Sequence, residues 1–173
     1  MRTLKYLLFT ILGIIVLVLI AAAVLPNDFE AGSKIVINKP KKEVFDYVKL
    51  LRNQGNYANW SRQDPQIQRE YTGTDGQPGF TYTWKSDKVG DGKQVITEVD
   101  SSAGRIDMHI FFNGSEDASP SFMEVLPLSD SSSQVIWKVE GKMPYPFNLM
   151  SLFYDMNADF DAGLAHLKDI LEK

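Results

Sequence analysis

The chain has two histidines and no cysteine, so few of its groups could do chemistry. Without cysteine there is no disulfide, no thiolate nucleophile and no thiolate metal ligand. His109 sits where Ile106, Met108, Ile110 and Phe112 alternate, which sends Asp107, His109 and Phe111 to the opposite face of a strand. Asp107 and His109 would supply two metal ligands at i, i+2, but the pattern offers no third. His166 falls on the polar side of a C-terminal helical stretch, with Asp169 one turn on and Asp159 two turns back, the pattern of a solvated helix face. With both histidines outside there is no Ser/His/Asp set, and Gly-x-Ser-x-Gly is absent. Gly90-x-Gly92 is too short for a phosphate loop and lies in a hairpin. Glu98 and Glu124 are mid-strand carboxylates whose phase is open, because both strands carry apolar residues on both faces. These patterns assign no catalytic residue, no metal and no cofactor.

A different set points inward. Tyr82, Trp84, Met108, Ile110, Trp137, Met150 and Phe153 are expected to line a space between a sheet and a C-terminal helix. Aromatic residues with one polar handle, together with adaptable Met, suit an apolar ligand needing a few orienting hydrogen bonds. The alternative is that they fill a core. Arg69 is in phase with Ile67 and Tyr71, so it is the one cation placed to enter that space and meet a ligand carboxylate or phosphate. The competing position is a guanidinium directed outward at the strand end.

The elements that must hold these residues follow from periodicity. Ala31 to Ile37 reads as a strand. Lys39-Pro40 opens a helix with Val44, Phe45, Val48 and Leu51 on its apolar face. Asn53-Gln54-Gly55-Asn56 is expected to stop it, before a short helical turn over Tyr57 to Ser61. Period-two strands follow at 66–72, 80–85, 94–99, 105–112, 121–128 and 134–143, separated by Gly-, Asn- and Ser-rich turns. Consecutive strands with tight connections form an antiparallel sheet. From Pro144 to Lys173 the residues Leu149, Phe153, Met156, Phe160, Leu164, Leu167 and Leu171 fall on one helical stripe. Gly163 would let that helix approach the strands closely.

This order of elements, together with the run Ile35-Val36-Ile37-Asn38-Lys39-Pro40-Lys41-Lys42-Glu43-Val44-Phe45-Asp46-Tyr47-Val48, resembles the opening of polyketide cyclase/dehydrase-like members of the START, or SRPBCC, superfamily. Asn56-Tyr57-Ala58-Asn59-Trp60-Ser61, Tyr82-Thr83-Trp84, Ile96-Thr97-Glu98-Val99 and Gly141-Lys142-Met143-Pro144-Tyr145-Pro146 are similar to a bacterial membrane-anchored branch. The resemblance covers residues 30–173. It implies an α+β helix-grip fold, a seven-stranded curved antiparallel sheet wrapped around a long C-terminal helix, with a deep apolar cavity between them. It further implies that relatives bind lipids, sterols, polyketides or other hydrophobic molecules, while a minority catalyse reactions in the cavity.

Ahead of that domain, Tyr6 to Leu25 contains no charge. Twenty helical residues span roughly 30 Å, about the hydrocarbon thickness of a bilayer. Arg2 and Lys5 precede the run, whereas Asp28 and Glu30 follow it. This favours an N-terminus inside and a globular part outside the cytoplasmic (inner) membrane, on one single-pass anchor. The alternative is a cleaved signal peptide processed at Ala21-Ala22-Ala23, although such apolar regions usually run only about 7–15 residues. The expected division is therefore an anchor with a short link over 1–29 and a helix-grip domain over 30–173.

The formal net charge is −4, and setting Arg2 and Lys5 aside leaves 16 basic against 22 acidic residues. That balance gives no support to nucleic-acid binding, and it opposes close approach to anionic head groups. The expected function is binding of a hydrophobic small molecule or lipid beside a membrane, with any protein partner left open. The alternatives are a cyclase or dehydrase using the same cavity, with Tyr82 and Glu98 or Glu124 as acid or base, and an interaction or stress-response module with a filled core.

Overall fold

The computed structural model describes residues 2–173; Met1, and the side chain of Arg2 on which the expected membrane orientation partly leans, lie outside the described residues. Helix α1 covers Arg2–Val24. It is an apolar run without proline, and Pro26 follows shortly after its end, where a helix cannot continue. Almost all of its side chains are exposed. Among the described residues it is the one helix long and apolar enough to cross a membrane.

Seven strands are found among the described residues: β1 (Asp28–Ile37), β2 (Gln68–Thr72), β3 (Thr81–Lys85), β4 (Gly92–Asp100), β5 (Arg105–Phe112), β6 (Ser119–Ser129) and β7 (Ser132–Lys142). They form one sheet in the order β1-β7-β6-β5-β4-β3-β2. From β2 to β7 each strand pairs with its successor in antiparallel register. That is the meander expected from tight connections. Gly104 closes the β4–β5 turn at φ 78°, in a conformation that side chains rarely adopt. Alternation along the strands then selects one buried face. Tyr82, Trp84, Ile96, Ile106, Met108, Met123, Val125, Val135 and Trp137 are all buried on it. Burial of each large side chain stabilises the fold by about 1.5–3 kcal/mol.

The helices between β1 and β2 are α2 (Lys41–Val48), α3 (Leu51–Tyr57) and α4 (Asn59–Gln63). The Asn53-Gln54-Gly55-Asn56 stretch does not stop a helix, as expected from its composition, but lies inside α3. The reason is a partner distant in sequence. The Asp75 carboxylate, from the β2–β3 loop, accepts hydrogen bonds from the Leu51 and Arg52 amides at 2.8 and 3.1 Å. A carboxylate on otherwise unpaired first-turn N–H groups supports a helix that local propensity does not.

The C-terminal stripe is also interrupted. A 3₁₀ turn occupies Phe147–Leu152, and the final helix, α5, covers only Met156–Leu171. Phe160, Gly163, Leu164 and Leu167 form its buried face. A Cβ at Gly163 would stand 3.3 Å from the Trp137 ring and 3.5 Å from the Tyr57 carbonyl, so glycine permits this approach. Asp159 accepts a hydrogen bond from Asn59 Nδ2 at 2.6 Å, and Asp161 accepts one from the Ser33 hydroxyl. These bonds tie α5 to α4 and β1. The sheet curves around α5 in a helix-grip arrangement.

Backbone contacts divide the chain into two compact units, one comprising residues up to Phe29 together with Lys142–Asp155, the other Glu30–Gly141 with Met156–Lys173. The segment before α5 thus groups with α1 in the first unit. One side chain fastens it there. Asn148, 1% exposed, donates through Nδ2 to the Ala22 and Leu25 carbonyls at 2.8 and 3.2 Å. Carbonyls at a helix C-terminus lack partners within their own helix, and Asn148 supplies one.

Candidate functional site

The inner face of the sheet collects most of the residues expected there. Tyr82, Trp84, Met108, Ile110 and Trp137 are buried on β3, β5 and β7. Trp137 anchors an aromatic cluster, with ring centroids 5.7 Å from Tyr57, 5.0 Å from Trp60 and 4.9 Å from Phe160. Tyr82 belongs to a second group, 5.2 Å from Tyr71 and 5.3 Å from Trp84. Helix α4 reaches both, since Trp60 packs at a tilt against Trp137 in the first group and Ser61 lies beside Tyr82.

Polar atoms on this face are short of partners. Among the described residues, Trp137 Nε1 and both amide atoms of Gln54 are buried without a hydrogen-bond partner from the protein, and Ser61 Oγ and Tyr82 Oη, also buried, lie beside each other and Arg69 without forming a hydrogen bond of full geometry. Gln54 is only 1% exposed. Two further polar groups find only soft acceptors: Gln94 Nε2 lies 2.9 Å from Met108 Sδ, and Tyr57 Oη lies 3.4 Å from Met123 Sδ. A buried donor or acceptor left unpaired costs about 1–3 kcal/mol, and native interiors hold few of them.

Arg69 is exposed as a residue, yet its guanidinium turns toward this group. Its Nη2 reaches the Ser61 carbonyl at 3.4 Å, and its Nε would lie 3.6 Å from a Cβ at Gly55. Burial pushes the Tyr82 hydroxyl above the ordinary tyrosine range, while Arg69 beside it pulls the other way. Tyr82 therefore keeps its proton at neutral pH and is a donor, not a base. Tyr57 is pushed higher still by its complete burial.

Other expected residues lie elsewhere. Met150 and Phe153 are 56% and 87% exposed and belong to the unit that contains α1. Interruption of the helical stripe leaves both outside α5. Glu98 pairs across the sheet with Asp107, and Glu124 with Arg105. Both glutamates share the outer face with the Arg105–Asp107 ion pair, at 2.6 Å, and neither enters the interior. His109 is exposed on the same outer face, its ring 6.4 Å from Phe111. His166 is half-buried, with Nδ1 unpartnered. Among the described residues no three His, Cys, Asp or Glu groups converge as a metal site would require. A pocket of about 470 Å³ lies at one end of β3–β5, between Trp84, Lys85, Asp91, Lys93, Phe111 and Glu116.

Gln54, Ser61, Tyr57 and Gln94 escape a reading based on hydrophobic periodicity. Gln54 and Ser61 sit in short helices whose polar composition resembles a loop, and burial of Gln94 is the only exception to apolar inward positions on its stretch of β4.

No family model and no curated protein matches the chain. Solved structures do. Norcoclaurine synthase from Thalictrum flavum, in complex with dopamine and hydroxybenzaldehyde, aligns at TM-score 0.64 and 12% identity, covering 88% of this chain and 91% of that one. A solution structure from Thermobifida fusca aligns at TM-score 0.56 and 19% identity over 82% and 92% of the two chains. The Aha1 dimer from Colwellia psychrerythraea gives TM-score 0.58 and 13% identity over 83% and 96%. At such identities the likeness is one of fold.

Proposed function

We propose that this chain, whose fold is the Bet v 1-like, or SRPBCC-like, helix-grip fold, uses its interior to bind a hydrophobic small molecule or lipid while α1 tethers it to a membrane. The ligand would carry at least one polar group, seated near Tyr82, Ser61 and Arg69. The observation that carries this reading is the set of buried polar atoms on Gln54, Ser61, Tyr82 and Trp137 whose hydrogen bonding is absent or incomplete. Apolar walls with a few convergent polar groups are the usual lining of a ligand site, and a bound molecule would recover part of the cost of leaving those groups unpaired. The norcoclaurine synthase complex, which holds two aromatic compounds, supports small-molecule binding on this architecture. The exposed apolar surface of α1 supports the tether.

A second reading, a domain whose core is filled by its own side chains, draws support from the Trp60–Trp137–Phe160 cluster, which occupies the end of the interior nearest α5. The cyclase or dehydrase reading loses its best acids with Glu98 and Glu124 outside.

Titration of the ¹⁵N-labelled full chain in micelles with oleate and with a lysophosphatidylcholine separates the first two. The three tryptophan indoles give distinct signals. Ligand binding should move the Trp137 indole resonance, and Tyr82→Phe should weaken the affinity about tenfold, the equivalent of one hydrogen bond. A Trp137 signal unmoved by either compound contradicts the proposal.

A further inference from the structure

We infer that Pro144–Tyr154 is a second membrane contact, a short uncharged segment seated in the head-group layer beside the end of α1. The inference rests on the reading of α1 as a membrane span. Between Lys142 and Asp155 the sequence Met-Pro-Tyr-Pro-Phe-Asn-Leu-Met-Ser-Leu-Phe-Tyr holds no charge. Tyr145, Phe147, Met150, Leu152, Phe153 and Tyr154 are all exposed, Phe147 by 63% and Phe153 by 87%. One large apolar residue at the surface needs no explanation, but six within ten residues do.

The segment's place in the fold identifies what covers them. Its one buried residue, Asn148, is spent on the Ala22 and Leu25 carbonyls. These lie where the apolar run of α1 gives way to Pro26, Asn27 and Asp28. Directly after the segment's fastening point, Ser151 Oγ closes back on the Asn148 carbonyl at 2.7 Å, which keeps the 3₁₀ turn compact. The exposed aromatics are therefore held at the level at which a spanning helix leaves the hydrocarbon. Tyr and other amphipathic rings concentrate at that level, and short segments rich in Phe and Leu bind there through buried apolar area. The absence of charge across the segment suits the head-group boundary, whereas the acidic balance of the remaining chain does not. The exposed surface is thus continuous with that of α1 and takes the same occupant, the bilayer.

The natural absence of cysteine makes single labelling sites available. Nitroxide labels on Leu12→Cys, Phe147→Cys and Phe153→Cys, each in the full chain reconstituted in phosphatidylcholine vesicles, report collisions with oxygen and with a water-soluble nickel complex. Free label in buffer sets the aqueous reference. The expected result is a label at 12 deep in the hydrocarbon, and labels at 147 and 153 that lose most nickel collisions while retaining oxygen collisions, at interfacial depth. A label at 12 in the hydrocarbon with 147 and 153 at the aqueous reference overturns the inference and leaves the anchor standing. A label at 12 in water overturns the anchor, and the inference with it. Shielding of 147 and 153 from both reagents, growing with protein concentration, overturns it in favour of a contact between copies.

Discussion

Single residues show where alternation can be trusted and where it cannot. Tyr82, Trp84, Met108, Ile110 and Trp137 lie on the buried face because each belongs to a regular strand, in which period two fixes the direction of every side chain. Glu98 could not be placed this way, and the structure supplies the cause: the register of β4 against β5 shifts between Ile96 and Glu98. An irregularity of this kind reverses the phase of whatever follows it. Glu124 is ambiguous for another reason. Its neighbour Phe122 is a large apolar residue on the outer face, held there by the Arg105 guanidinium 3.8 Å from its ring centre. A prediction at this scale concerns Asp64. Its carboxylate accepts from Ser86 Oγ at 2.7 Å and from the Gln66 amide at 3.0 Å, and these bonds hold its pKa below the ordinary aspartate range. A depressed folded pKa stabilises above the unfolded value, near 3.9, and that stabilisation is lost as pH falls through the folded value. Asp64→Asn should therefore lower Tm at pH 7 and differ less from the parent at pH 3, as thermal melts at both pH values would show.

Elements were legible in the sequence wherever their cause was local. Turn glycines and alternating strands place the six-strand meander, and the Pro40 start places α2. The two elements misread are both decided by distant partners. Helix α3 persists through Asn53 and Gly55 because Asp75 caps it from another loop. The stripe leading into α5 breaks because Asn148 satisfies the end of α1. No pattern within either stretch announces these contacts. Asp75→Ala should destabilise the fold by about 1 kcal/mol, in the range of other lost helix caps, with a loss of amide-exchange protection concentrated at Leu51 and Arg52. Uniform loss of protection across the chain would argue against a local cap. The close approach of α5 makes a separate prediction. Gly163→Leu adds a branched side chain where even a Cβ would meet Trp137 at 3.3 Å, so it should cost about 1–3 kcal/mol by overpacking. Denaturant titration measures this cost, and unchanged stability would show that α5 has room to move.

At the scale of the whole molecule, the fold class could be read because a strand, a group of short helices, a meander and a terminal helix leave few ways to bury their apolar faces. What the interior does is less legible. Whether a buried aromatic lines a ligand chamber or fills a core depends on unpaired polar atoms and distances of a few tenths of an ångström, and hydrophobic periodicity carries neither. Gln54 and Ser61 illustrate this, since both enter the candidate site from helices with no apolar stripe to mark them. The proposed function therefore rests on buried polar groups whose hydrogen bonding is absent or incomplete. Native mass spectrometry of the full chain, purified without detergent exchange, tests it most directly. The account predicts a fraction carrying one co-purifying apolar molecule, diminished by Tyr82→Phe; a chain of bare mass at every extraction condition, in both the parent and the variant, would contradict it.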